Sequence, residues 1–197
     1  MGGVWVVVLI KDFHSAKQRL RTAMGPEERS QLARANAHLA LRAAAAGERV
    51  VAVCGSDEAA ALAGSEGAEV LLEATPGGQN QAAATGLEHA SRAGAAAVLL
   101  LSSDLPLITV EAVQKILARA EELPGALVMA IPATGRGGTN GLLVRPPDAV
   151  GLHFGDQSLK KFEADALARG VRFELFASEL LALDLDEPSD LAFLASR

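Results

Sequence analysis

The sequence predicts a three-layer α/β/α fold built on a mostly parallel central sheet, and three features carry that expectation. The runs at 4–10 and 97–101 are uninterrupted and apolar, as strands covered on both faces are. Ala-rich stretches of helical character alternate with such runs along the chain, which is the order of a parallel sheet. Half of the 197 residues are hydrophobic but only 4% are aromatic, so the layers must pack closely through small side chains. This length suits one domain with a sizeable core, and no repeat, linker or compositional shift marks a boundary within 1–197.

The totals also exclude functions. A formal charge of −6 argues against a general nucleic-acid binder, which needs a basic face to displace counterions. Cys54 is the single cysteine and ends an apolar run, so it reads as a buried small residue in a reducing compartment. No stretch approaches the ~20 apolar residues that span a bilayer, and the amino terminus leads into a strand without a leader pattern. A soluble cytoplasmic protein with no membrane partner is expected; its oligomeric state is open, a homodimer included.

Along the chain, strand 4–10 should be central, and Lys11, Lys17 and Arg19 follow its end. No glycine-rich phosphate loop stands there, so these cations are placed to surround a polyanion; a solvated basic loop is the plainer use of them. A helix from Pro26 to about Ala46, a strand at 49–54 and a short helix at 58–63 come next. A short strand at 68–72 then leads through Gly77 and Gly78 into a helix ending near Arg92. Asn80, at the start of that helix, offers a donor and an acceptor to a nucleobase edge, or caps the helix.

The run 97–101 closes in Ser102-Ser103-Asp104-Leu105-Pro106. Pro106 ends the strand, which leaves the Asp104 carboxylate at the carboxyl edge of the sheet, where open α/β sheets bind ligands. Thr109 is set to cap the next helix, and 127–132 is a further strand. The loop 133–138 returns through Thr139 and Asn140 into another strand. Its glycines allow backbone amides and the Thr139 hydroxyl to approach an oxyanion, or simply make a turn. Ser158 should cap the helix 159–169, whose amino terminus can also take an anion. A strand is expected at 170–175. Alternation across Asp184-Leu185-Asp186 puts two carboxylates on one face as a strand would. With Asp104 they form a hard-oxygen set suited to Mg²⁺. Asp190 reads as a turn and helix cap.

Taken in this order, Lys11 with Ala16-Lys17-Gln18-Arg19-Leu20, Gly78-Gln79-Asn80, Asp104-Leu105-Pro106, Gly137-Gly138-Thr139-Asn140, Phe154-Gly155 with Ser158, and Leu183 to Leu191 with its Asp-Leu-Asp-Glu-Pro core resemble the guanylyltransferases of deazaflavin coenzyme F-420 biosynthesis. The resemblance covers nearly the whole chain. It implies a Rossmann-like fold of the nucleotide-diphospho-sugar transferase kind and a reaction between GTP and a small phosphorylated three-carbon acid, phosphoenolpyruvate or 2-phospho-L-lactate. It also implies Mg²⁺ on Asp104, Asp184 and Asp186, the acid against Thr139, Gly155 and Ser158, and the triphosphate on Lys11, Lys17 and Arg19, with Lys17 and Asp104 catalytic. The chain departs from the family pattern at Gly141, where Ala is usual, and at 159–163, beside the acceptor residues. A sugar-phosphate or molybdopterin-type nucleotidyltransferase and a non-catalytic nucleotide-binding module are the alternatives. Retention of all three aspartates favours an enzyme. The attacking phosphate is already largely ionised near neutrality, so no general base is needed, and none of the four histidines is assigned one.

Overall fold

The computed structural model describes residues 3–75, 77–135 and 137–195; Pro76 and Arg136, in the two glycine-bearing loops, lie outside them. Seven strands form one sheet: β1 Val4–Ile10, β2 Arg49–Cys54, β3 Glu69–Leu72, β4 Ala97–Ser102, β5 Leu127–Pro132, β6 Thr139–Arg145 and β7 Arg172–Leu175. Their spatial order is β3-β2-β1-β4-β6-β5-β7, with only β6 running against the rest. The expected mostly parallel sheet is therefore present, with β1 inside it.

Period-two alternation along β1 divides the interior into two layers. Val6, Val8 and Ile10 pack with residues of α1 (Pro26–Ala44), α2 (Asp57–Ser65) and α4 (Val110–Glu122). Trp5, Val7 and Leu9 pack on the other face with α3 (Gln79–Arg92) and α5 (Ser158–Ala168). Small residues let these helices come close. A Cβ on Gly86 of α3 would stand 2.4 Å from a Val7 methyl, so this glycine is what lets α3 lie down on β1.

The chain adds β2 and β3 on one side of β1 and then crosses to the other side for β4. Strand order reverses between β1 and β4, which opens a crevice at their carboxyl ends. Two local expectations are corrected. Residues 183–186 do not join the sheet: Leu183 and Leu185 are buried in alternation, but the segment's backbone meets Asp104 instead, Leu185 N–H donating to its carbonyl at 3.1 Å. The amino-terminal cap of α5 is Gln157, in the left-handed region at φ 51°, and Ser158 is the first helical residue. A 3-10 helix at Gln18–Thr22 and a short α6 at Glu179–Ala182 precede the closing α7, Pro188–Ala195; sequence reasoning anticipated neither of the first two. Ser56 and Thr109 cap α2 and α4 through their hydroxyls, and Asp190 accepts from the amides of Asp186 and Glu187 at the start of α7.

Candidate active site

A cleft of about 590 Å³ opens at the β1/β4 crevice, walled by Lys11, Lys17, Arg19, Asp104, Thr139, Gly155, Asp184 and Asp186 among others. Its cationic lip is built by the turn after β1. Asp12 accepts from the amides of His14 and Ser15 at 3.3 and 3.2 Å, Phe13 is buried, and the chain then turns into the 3-10 helix that buries Leu20. To make that turn Lys17 adopts φ 57°, a conformation L-residues other than Asn and Asp seldom take. Its side chain is thereby directed inward. With 5% of it exposed, the ammonium stands 3.3 Å from Asp104 Oδ2 and donates to the Leu185 carbonyl at 2.5 Å. Arg19 is exposed and donates to Asp186 Oδ2 at 2.8 Å, with Glu187 Oε1 at 3.6 Å. Lys11 is exposed on the wall.

Opposite stand the acids. The Asp104 backbone carbonyl is held by Leu185, one carboxylate oxygen faces Lys17, and the other, Oδ1, is buried with no hydrogen-bond partner among the described residues. A buried carboxylate oxygen left unpartnered is costly unless a cation or donor completes it. Asp184 and Asp186 line the same cleft. Among the described residues, however, no three His, Cys, Asp or Glu side chains gather closely enough to hold a metal ion by themselves. The expected gathering of three aspartates into one seat is therefore not seen: Asp104, Asp184 and Asp186 line one cleft without clustering, and Lys17 and Arg19 lie on two of them. Such a set fits Mg²⁺, which takes one or two carboxylates and fills its remaining positions with water and phosphate oxygens.

The third side of the cleft comes from β6 and the loop before α5. Thr139 lies on the wall, and the fully buried Ser158 donates its hydroxyl to Thr139 Oγ1 at 3.0 Å. Ser158 does not reach the cleft itself; it orients Thr139. Gly155, at φ 120°, forms part of the wall where a side chain would be strained. Asn80 is not on the wall and does not cap α3. Its carboxamide clamps the Phe154 peptide, accepting from the N–H at 2.8 Å and donating to the carbonyl at 3.0 Å. A peptide offers the same donor and acceptor pair that a base edge would, and a loop 74 residues away supplies it. Asn140 is likewise buried, donating to the carbonyls of Leu181 and Ala182 and so fixing α6 beneath the aspartate segment.

Sequence reasoning gave no site role to several polar residues on the wall, Gln79, Ser102 and Glu73 among them. Gln79 donates to the Ser102 hydroxyl at 3.3 Å. Glu73 follows the end of β3 as Asp104 follows β4, and that repeated placement of an acid past a strand end was the available signal. Cys54 is inert as expected. Burial first, and the nearby Glu73 charge second, push its thiol up to about 12. The histidines face acids away from the cleft: His14 with Glu58, His38 with Glu66, His89 with Glu69, and His153 with Asp165. Among the described residues no helix is long and apolar enough to cross a membrane.

The chain is similar to known proteins along almost its whole length. A protein of Rubrobacter xylanophilus named a phosphoenolpyruvate guanylyltransferase is 38% identical over 97% of this chain and 93% of its own length. One of Phenylobacterium zucineum, named a 3-phospho-D-glycerate guanylyltransferase, is 34% identical over 96% and 88%. In fold, a crystal structure assigned to a nucleotide-diphospho-sugar transferase of Desulfovibrio desulfuricans G20 superposes with a TM-score of 0.80 over 98% of this chain and 87% of that one, at 18% identity. The family described as guanylyl transferase, CofC like, matches residues 4–195. The chain belongs to that family of nucleotidyltransferases.

Proposed function

We propose that this enzyme joins GTP to phosphoenolpyruvate in deazaflavin coenzyme F-420 biosynthesis, in the cytoplasm. An acceptor phosphate oxygen attacks the α-phosphorus, the bond to the β-phosphate breaks, and pyrophosphate leaves. The observation that carries the proposal is the cleft at the switch point, which has a cationic lip, carboxylates in contact with it and a hydroxyl-bearing third wall. Phosphoenolpyruvate is preferred as acceptor because the Rubrobacter xylanophilus relative carries that name; 2-phospho-L-lactate and 3-phosphoglycerate are the competing acids.

Each wall has its own task. Lys11 and Arg19, on the exposed lip, meet the β- and γ-phosphates and neutralise charge as pyrophosphate departs. Lys17 is held at the boundary between the lip and Asp104, so its ammonium is placed for charge developing at the α-phosphate. Thr139, oriented by Ser158, and the backbone at Gly155 hold the acceptor for an in-line approach. Asp104, with Asp184 or Asp186, would hold Mg²⁺, whose charge relieves repulsion between two polyanions.

The test is pyrophosphate release from GTP with phosphoenolpyruvate, 2-phospho-L-lactate or 3-phosphoglycerate as the acid. Release should be fastest with phosphoenolpyruvate and should require a divalent cation. Asp104→Asn should lower turnover by at least about 100-fold with the fold intact. Release with none of the acids would reject the reaction, and near-normal turnover of the variant would reject the role of Asp104.

A further inference from the structure

Apart from Asp104, only one carboxylate lining the cleft has an oxygen that is shut off from solvent and accepts no hydrogen bond among the described residues: Glu73, through Oε1. No ion pair is made by Glu73 among the described residues either. The same wall carries the apolar or small residues Leu9, Ile10, Gly55 and Ala82, and its amide donor Gln79 donates to the Ser102 hydroxyl rather than to Glu73. An acid oxygen without a partner is destabilising, and rotation about the soft terminal torsion of glutamate turns it towards the cleft, where a ligand that brings donors removes that cost.

The position of Glu73 says which end of a ligand would meet it. Its amide donates to the Cys54 carbonyl at 2.9 Å, so it continues the β2/β3 ladder one residue beyond β3 at the carboxyl edge of the sheet. Asp104 lies past the end of β4. With β2 and β1 between β3 and β4, three interstrand spacings separate the two acids, roughly 14 Å at ~4.8 Å each, which is room for a nucleoside between them. The phosphate lip and the Thr139 wall belong to the β1, β4 and β6 end. The β3 end is left for the base.

Guanine differs from the other common bases in presenting two adjacent donors on one edge, the N1–H and the 2-amino group. A carboxylate accepts both at once. We infer that Glu73 is the specificity-determining residue for guanine, its carboxylate accepting from N1–H and the 2-amino group of the bound nucleotide. Beside it, the amides opening α3 at Gln79 and Asn80 follow Gly78, which has no side chain to cap them, and they can donate to the O6 carbonyl. The inference deepens the reading above and rests on it for the identity of the nucleotide.

The test is direct nucleotide binding, by calorimetry, of GTP, ITP, XTP and ATP to the wild-type protein and to Glu73→Gln, with pyrophosphate release measured in parallel. Inosine lacks the 2-amino group, so wild type should bind ITP at least about tenfold more weakly than GTP, one charge-assisted hydrogen bond being lost. Xanthine replaces that donor with a carbonyl. A glutamine accepts from N1–H and donates to that carbonyl, so Glu73→Gln should lose at least about tenfold in GTP affinity and bind XTP better than GTP. Equal binding of GTP and ITP by wild type, an arm that needs no variant, overturns the inference. So does a folded Glu73→Gln protein with unchanged GTP affinity. If wild type binds GTP with these preferences but releases no pyrophosphate with any acid, the reaction fails and the role of Glu73 stands. If it binds no nucleotide, both fall.

Discussion

Lys17 combines a strained backbone, a buried side chain and two polar contacts, and that combination constrains what it does. A left-handed φ costs an ordinary residue on the order of 1 kcal/mol, and burying an ammonium adds to the cost. The contacts to Asp104 and to the Leu185 carbonyl offset part of both, and they tie the lip after β1 to the acids opposite. Lys17→Met keeps the side-chain length and removes the charge, so turnover should fall at least about 100-fold. It also leaves Asp104 without its cation. The double variant Lys17→Met, Asp104→Asn should therefore recover about 1 kcal/mol relative to the sum of the single losses in denaturant unfolding, while remaining inactive. Strict additivity would show that the pair is not coupled. Lys17 and Asp104 were legible as charged residues at strand ends, but their mutual contact was not, since 87 residues of chain separate them and only the sheet order brings them together. The burial of Lys17 was equally hidden, because the left-handed turn that directs it inward depends on Phe13 and Leu20 finding the core.

At the scale of elements, the legible features were those set by local pattern. The apolar runs gave β1, β2 and β5 their observed bounds, and hydroxyl residues before α2 and α4 cap them as their chemistry suggests. Segment 183–186 misled because period-two burial reports which side chains face inward, not whether the backbone has a ladder partner; here Asp104 and α6 take that place. Asn80 misled for a related reason. A donor and acceptor on one carboxamide suit a base edge, a cap or a peptide, and only the tertiary structure selects the Phe154 peptide. The clamp joins α3, on the proposed nucleotide side, to the loop that carries Gly155, on the proposed acceptor side. Asn80→Ala should free that loop, raising KM for the phosphorylated acid several-fold while leaving GTP affinity within twofold. Initial-rate kinetics with each substrate varied in turn decide it. A fall in GTP affinity with an unchanged KM for the acid would return Asn80 to the nucleotide site.

Across the whole molecule, one sheet edge collects groups of both signs, and packing that holds the proposed acceptor wall in place lies away from it. α5 is fastened to the turn at 151–154 by Asp165, which accepts from His153 at 2.9 Å, from the Gly151 amide at 2.7 Å and from Arg169 at 2.7 Å. These three, the His153 contact foremost, lower the Asp165 carboxyl to about 2 from its ordinary 3.8. A carboxyl lowered by folding stabilises the folded state at pH values above its unfolded value. That contribution is lost as pH falls from about 4 through 2, below which the folded state no longer holds the charge either. Asp165→Asn should therefore lower stability at pH 7 by on the order of 1 kcal/mol, the exposed edge of the carboxylate being screened. The difference from wild type should shrink as the pH is lowered through 4 and nearly vanish near pH 2, as read by denaturant unfolding along a pH series. Because this cluster stands behind the acceptor wall and touches neither the lip nor the aspartates, nucleotide affinity at pH 7 should be unaffected. A stability gap that persists unchanged at pH 2 would mean that Asp165 acts through shape and neutral hydrogen bonds rather than through its charge.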